Sequence, residues 1–428
     1  MAPGPGEERN MKLAAIIAEY NPFHEGHGCL IKKVKEDTGA DAVVAVMSGD
    51  FTQRGEPAIV DKFTRTHMAL SQGIDLVVQL PGIFVLSDAD GFAAGAVAIC
   101  KAMDVDVLAF GSEEGDVESL KKVAKMLAEE DDEFKVYLRE ALDEGFSYPA
   151  ARSMAAEKKM PGAGTILEGS NNILGIEYIK AAIDQKAGFD FYTTERIGSG
   201  FGEKNVEAGK IPSALAIRTS LDKDMGNAAE INGLPTDTAK LLNEIKPYVK
   251  SELNDFYGIF RSKILLSGSD DFSNIYGARE GLSNRIKDAA RKAEDMDILD
   301  EIVSTKRYTV SRLHRTYLQM LFDLEKDEYE KLKEAFCHKD AAYIRVLGFN
   351  ETGRKVLSYF KEQQKASKGK AMEEGTPIIT NINKQKENLK PEAAKIIKFD
   401  MKISDIYNMV SGRDLYEFSD MVHGPVIL

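Results

Sequence analysis

Leu13-Ala-Ala-Ile-Ile-Ala-Glu-Tyr-Asn-Pro-Phe-His-Glu-Gly-His27 joins a short apolar run to a turn-rich segment and then to a helical pattern. The run from Leu13 to Ala18 has the length and bounding of a buried strand, and the helix that follows carries through Leu30 and Lys35 to Thr38-Gly39. The same alternation repeats downstream. Ala42 to Met47 reads as a second strand, residues 48–57 as a loop, and Val60 to Ser71 as a helix stopped by Gly73. Asp75 to Leu80 is a third strand, Phe92, Ala96, Ile99 and Met103 fall at helical spacing, and Asp106 to Phe110 is a fourth strand. Strands alternating with helices of this length imply right-handed crossovers and an α/β fold, its parallel sheet covered on both faces.

Residues 113–159 hold 13 acidic and 8 basic side chains and read as amphipathic helices with solvated faces. Residues 162–175 look loop-like, Ile176 to Ile183 helical, and Phe189 to Thr193 like a further strand. A polar, Gly-rich loop at 198–209 then leads to Ile211-Pro-Ser-Ala-Leu-Ala-Ile-Arg218. Beyond about Gly226 the pattern is predominantly helical, with Thr376-Pro-Ile-Ile-Thr380 the main strand signal. This divides the chain into an N-terminal extension (1–10), an α/β domain (11–225) and a mainly helical domain (226–428).

Composition narrows the function class. The chain has 428 residues, 56 Lys+Arg against 69 Asp+Glu, a formal net charge of −13 and 43% hydrophobic residues. That length can bury a sizeable core without disulfide or metal staples. No stretch approaches the ~18 apolar residues of a membrane helix, and residues 1–10 lack the apolar core of a signal peptide. Cys29, Cys100 and Cys337 are odd in number and scattered, which points to a reducing cytoplasm and not to a disulfide framework. The acidic balance disfavours nucleic-acid binding over the whole surface but leaves room for a local basic patch.

The chemistry concentrates where the first strand meets the first helix. Ligands of open parallel sheets bind outside the carboxyl ends of the strands. Gly26 lets the backbone approach a phosphate, and a helix N-terminus supplies N–H groups and partial positive charge. His24 and His27 lie on one face of the first turn and can both donate to phosphate oxygens as charge develops. Zinc is the competing reading, but a site needs three or four ligands; the other histidines (His67, His314, His338, His423) and the cysteines are dispersed. No metal ligand is assigned. A second element, Ser213 to Arg218, places a hydroxyl at a helix start and a guanidinium about one and a half turns later, both able to face an anion.

The strand-F-H-x-G-H element with a later S-x-x-x-x-R element resembles the nucleotidyltransferase superfamily. More specifically, Glu19 to His27, Met47 to Pro57, Phe110-Gly-Ser-Glu113, Ser170-Asn-Asn-Ile-Leu-Gly-Ile-Glu-Tyr178 and Ser213 to Arg218 resemble the bacterial tRNA(Met) cytidine acetate ligase family. Tyr308 to Arg315 and Tyr343-Ile-Arg-Val-Leu-Gly348 extend the likeness more weakly. The resemblance implies a Rossmann-like, parallel-sheet nucleotidyltransferase domain that binds ATP, followed by a mainly α-helical, tRNA-binding domain. It also implies a reaction: acetate attacks the α-phosphate of ATP, with Mg2+ accompanying the nucleotide, and acetyl-adenylate then acetylates N4 of the wobble cytidine of elongator tRNA(Met). On the same basis the catalytic set is His24, His27, Ser213 and Arg218. ATP is cradled by Ile17, Ala18, Glu19, Tyr20, Asn21, Pro22, Phe23, His24, Glu25, Gly26, His27, Gly28, Cys29 and Leu30. Gly111, Asn171 or its neighbour Asn172, and Arg196 make the remaining nucleotide contacts.

Two basic stretches are candidates for tRNA. Residues 354–402 contain 12 Lys/Arg against 6 Asp/Glu. Lys306, Arg307, Arg312 and Arg315 form a cluster with Tyr308 and Tyr317 interleaved, which suits phosphate contacts with a ring stacked on an unpaired base. Arg54, after the second strand, could bind acetate or RNA phosphate, or simply pair with Glu56. A small-molecule adenylyltransferase that makes a nucleotide cofactor is the alternative; it shares the phosphate motifs but has no need of about 200 further helical residues.

Overall fold

Six consecutive apolar residues cannot face water on either side, and Leu13–Ala18 forms β1 in the interior of a sheet. The computed structural model describes residues 11–195, 212–223, 228–245, 252–268, 271–279, 281–305, 308–339, 341–367, 375–386 and 389–428. β2 (Ala42–Ser48), β3 (Leu76–Leu80), β4 (Val107–Ser112) and β5 (Asp190–Glu195) complete a parallel set in the order β5-β4-β1-β2-β3. The chain moves outward from β1 in one direction through β2 and β3, then crosses to β4 and β5 on the other side. The switch in direction leaves a crevice between the carboxyl ends of β1 and β4. Helix α1 (Glu25–Thr38) follows β1 and stops at Gly39, whose φ of 66° is the left-handed conformation that glycine accepts. Helix α2 (Lys62–Ser71) follows β2.

The C-terminal half is mainly helical, yet it returns to this sheet. β6 (Ile344–Phe349) pairs antiparallel with β3, β7 (Ile378–Ile379) pairs with β6, and β8 (Val426–Ile427) also pairs with β6. The sequence pattern marks β7 alone, because Arg345 interrupts the apolar run of β6. In the structure Arg345 is 2% exposed, with the Asp420 carboxylate opposing its desolvation from far along the chain. The segment 162–175 also departs from its loop-like reading: it holds the short helix Ala163–Ile166 and the start of the helix Ser170–Asp184. That start depends on Glu113, whose carboxylate accepts the N–H groups of Asn171 (3.2 Å) and Asn172 (2.8 Å) from outside the helix.

Buried charge fastens the C-terminal segment to the N-terminal one. Lys62 donates to Ser404 Oγ (2.6 Å) and Asp420 Oδ2 (2.6 Å), and Ser404 donates to Asp50 Oδ2 (2.6 Å). Burial works against the Lys62 ammonium, but Asp420 and Asp50 outweigh it and hold its pKa above the ordinary value. Arg413 pairs with Asp61 (2.7 Å), and the Tyr407 hydroxyl donates to the Ala58 carbonyl (2.7 Å). Asp400, on the long helix Pro391–Val410, accepts the Gly82 N–H (2.6 Å).

Burial raises the Asp400 carboxyl from its ordinary 3.8 to about 7, against the pull of the Gly82 N–H and Lys62. An acid whose folded-state pKa lies above its unfolded value favours the fold below the unfolded pKa and loses that contribution as pH rises through the folded one. The stability of the wild type relative to D400N is therefore expected to fall between pH 3.8 and about 7 and to level off above, read from denaturation midpoints across a pH series. A flat difference would show that Asp400 does not take up a proton on folding.

Candidate active site

The crevice at the switch point is a cleft of about 280 Å³. Its floor is the end of β1 and the turn that follows, with Ile17, Ala18, Glu19, Tyr20 and Asn21. Tyr20 takes a φ of 47°, a conformation that a β-carbon disfavours, and so turns the chain sharply out of the sheet. One wall is α1, presenting His24, Gly26, His27, Cys29, Leu30 and Lys33. Opposite lie Phe110 and Gly111 at the end of β4, with Asn171 and Tyr178 from the helix Ser170–Asp184. Thr52, Gln53, Arg54 and Glu56 come from the loop after β2, while Ser213 and Arg218 come from the helix Ala214–Lys223.

The two histidines build the α1 N-terminus themselves. His24 is the N-cap, and its Nδ1 accepts the Gly26 N–H (3.1 Å); His27 Nδ1 accepts the His24 N–H (3.2 Å). Their rings stack at 3.7 Å. A neutral imidazole that accepts at Nδ1 carries its proton on Nε2, so both rings offer an N–H donor on the far side from the helix backbone. Arg218 is 8% exposed and donates to the Asn21 carbonyl (2.8 Å), which fixes it to the same turn; Glu56 lies 3.4 Å from its other nitrogen. Ser213 Oγ accepts the Ala216 N–H (3.1 Å) and caps its own helix. His24, His27, Ser213 and Arg218 thus converge on one cleft from residues far apart in sequence.

Several expected contacts do not reach it. Phe23 is wholly buried in the core, the Glu25 side chain is exposed, and neither these two nor Pro22 or Gly28 lines the cleft. Asn172 is spent elsewhere: its carbonyl oxygen accepts the Glu113 and Glu114 N–H groups and its amide donates to Ile166. Asn171 lines the cleft and its amide donates to Glu113 (2.7 Å). Arg196 lies outside the described residues. Sequence reasoning missed Lys33, which donates to Thr194 Oγ1 (3.0 Å), although its three-residue spacing from Leu30 and His27 marks the same helix face. It also missed Thr52, Gln53, Tyr178 and Glu195, which only the sheet brings alongside.

The proposed basic cluster is not one surface. Lys306 and Arg307 lie outside the described residues. Arg312 packs over the ring of Tyr308 (4.9 Å), which is itself 9% exposed. Arg315 turns inward and donates to the Gln53 carbonyl (2.8 Å). Tyr317 is buried and bonded to Asp300 (2.9 Å), which leaves it no face for a base. The helix Val310–Phe322 therefore buttresses the cleft loop. Among the described residues no three His, Cys, Asp or Glu side chains are grouped so as to hold a metal ion, and no helix is long and apolar enough to cross a membrane.

A family described as HIGH Nucleotidyl Transferase matches residues 11–419. The tRNA(Met) cytidine acetate ligase of Caldicellulosiruptor saccharolyticus is 40% identical, covering 83% of this chain and 86% of its own. That of Clostridium novyi is 34% identical over 98% and 100%. This chain belongs to the tRNA(Met) cytidine acetate ligase family of HIGH nucleotidyl transferases. Among solved structures, apo Thermotoga maritima TmcAL superposes with a TM-score of 0.87 at 34% identity, covering 98% of this chain and all of that one. The same protein bound with alpha-thio ATP gives 0.85. The family likeness spans both the parallel sheet and the helical half, in line with a C-terminal segment that closes back onto the sheet.

The loop after β2 meets its buttress at Gly55. Its φ is 79°, and a β-carbon there would lie 2.4 Å from the Arg315 nitrogen and 2.7 Å from the His314 carbonyl carbon, both backbone atoms. G55A should therefore lower stability by about 1–3 kcal/mol, read from the denaturation midpoint. It should also speed hydrogen exchange at the Gln53 amide. An unchanged midpoint and exchange rate would show that this packing does not hold the loop.

Proposed function

We propose that this protein is an ATP-dependent tRNA cytidine acetate ligase working in the cytoplasm, with acetate, ATP and elongator tRNA(Met) as substrates. Acetate attacks the α-phosphate of ATP to give acetyl-adenylate and pyrophosphate; N4 of the wobble cytidine then takes the acetyl group and AMP departs. The observation that carries the reading is the pair of stacked imidazoles whose Nδ1 atoms are both committed to the α1 backbone, beside a nearly buried Arg218. Donors fixed in this way cost no reorganisation when charge builds on a departing pyrophosphate.

Acetate is ionised at neutral pH, so the first step needs positioning and charge relief without a base. The triphosphate would lie at the α1 N-terminus between His24, His27 and Arg218, with Lys33 within the same wall. The adenosine would run along Gly111 towards Asn171, which takes the nucleotide contact in preference to Asn172. Mg2+ usually keeps several waters and is held by substrate phosphates with one or two carboxylates. Glu56 and Glu195 in the cleft wall fit that supporting part, and the ion would neutralise phosphate charge. For tRNA, the exposed cations Lys355, Lys361, Lys384, Lys386 and Lys398 are the better candidates, since Arg315 is engaged with Gln53. The free cysteines, two of them buried, suit a reducing compartment.

The direct test is incubation with ATP, labelled acetate and bulk bacterial tRNA, followed by nucleoside mass spectrometry for labelled N4-acetylcytidine. No label in cytidine would refute the reading. H24N separates chemistry from folding, because asparagine is itself a good N-cap. It should stay within about 1 kcal/mol of wild-type stability while acetate-dependent ATP–pyrophosphate exchange falls about 100-fold. R218K keeps the charge but loses the planar fork, and exchange should fall at least about tenfold. Wild-type exchange in either variant would remove that residue from the triphosphate site.

A further inference from the structure

We propose that Glu19 is the catalytic group that takes the proton from the attacking cytidine amine in the acyl-transfer step; this rests on the function proposed above. The chemistry of that step demands an acceptor. The N4 amine shares its lone pair with the pyrimidine ring, so it is weakly basic and has to shed a proton as it attacks. The N4 lone pair forms the C–N bond to the acetyl carbon. The bond from that carbon to the phosphate oxygen then breaks, its electron pair leaving on AMP, which needs no proton. The proton from N4 passes to the Glu19 carboxylate and from there to solvent.

The histidines, cations, other carboxylates and Tyr178 of the cleft are poorly suited to accept it. His24 and His27 present N–H donors, because their Nδ1 atoms already accept from the backbone. Lys33, Arg54 and Arg218 are cations. Glu56 is engaged with Arg218 at 3.4 Å, and Glu195 stands exposed at the far end of β5. Burial pushes the Tyr178 phenol up, so it stays protonated.

Glu19 is held from two sides. The backbone leaves β1 directly before it, and its Oε1 accepts the Gln53 N–H (2.7 Å). Gln53 is in turn fixed by Arg315 through its carbonyl (2.8 Å). The second carboxylate oxygen makes no hydrogen bond among the described residues, and the side chain lines the same cleft as His24 and Arg218. The groups that face it are Arg218, Arg65, Glu56 and Tyr178. Burial raises its proton affinity and Glu56 adds to that, while the Gln53 N–H, Arg218 and Arg65 oppose it; the balance lies above the ordinary carboxylate value. A carboxylate shifted in that direction is a stronger base near neutral pH.

The experiment supplies synthetic acetyl-adenylate and tRNA, which isolates the second step, and measures acetate-dependent ATP–pyrophosphate exchange separately. E19Q should lower acetyl transfer from acetyl-adenylate about 100-fold, with a much smaller loss in exchange. Wild-type transfer should decline as pH falls and Glu19 becomes protonated; E19Q should lack that acidic limb, and E19D should keep it at reduced rate. Transfer by E19Q within about threefold of wild type would overturn the proposal. So would an equal loss in both steps, or an acidic limb that survives in E19Q. Those results leave the ligase reading standing. A wild-type protein that makes no N4-acetylcytidine from either donor system overturns the ligase reading and this proposal together.

Discussion

Arg65 is wholly buried, and its guanidinium donates to four backbone carbonyls: Val60 (3.1 Å), Glu19 (2.6 Å), Ser48 (3.2 Å) and Gly49. The Glu19, Ser48 and Gly49 carbonyls sit where β1 and β2 end and their chains turn away, and the Val60 carbonyl lies just before α2. A buried carbonyl without a donor costs about 1–3 kcal/mol, and at strand ends the sheet supplies none. A planar cation with five N–H groups can serve four carbonyls at once, one more than the three donors of an ammonium allow. The ends of β1 and β2 are thereby held at a fixed separation. The turn through Tyr20 and Asn21, the His24 cap and the loop carrying Gln53 all start from those two ends.

From that anchor the cleft is assembled by contacts that each have a second partner. Asn21 receives Arg218 on its carbonyl, and its own side chain accepts the Ile59 N–H (2.7 Å). Glu19 reaches Gln53, and Gln53 is reached by Arg315. The helices between 252 and 322 thus act on the cleft loop without lining the α1 end of the cleft. The C-terminal segment contributes Ser404 and Asp420, which with Asp50 surround Lys62 at the first turn of α2, three residues before Arg65. Removing one member of such a buried set leaves an uncompensated charge, which costs far more than the intact set gains. The two halves of the chain accordingly form one connected structure around the sheet.

How far the sequence could be read follows from the range of the forces involved. β1 to β5 and α1 are set by local patterns, apolar runs of strand length and a Gly39 stop, and all were legible. The same holds for the histidine pair, because His24 and His27 lie within one helical turn. β6 was not, since its buried Arg345 is offset by Asp420 from another part of the chain, and no window of sequence contains both. The basic appearance of the segment 306–315 misled for a related reason: sequence counts charges but does not say which of them face inward, and Arg315 does.

Sequence by itself determined the α/β class, the strand–turn–helix that carries His24 and His27, and the family to which the chain belongs. Its motifs also marked Arg218 and the adjacent pair Asn171 and Asn172 before anything showed Arg218 and Asn171 lining one cleft. The tertiary structure alone decided which of two adjacent asparagines faces the cleft, that Lys33, Gln53 and Tyr178 join it, and that Glu19 is fixed by a loop from the next strand. The physical reason is that side-chain chemistry and helical or strand period are local properties. Burial, the pairing of charges and the direction in which an atom points depend on neighbours that only the folded chain brings together.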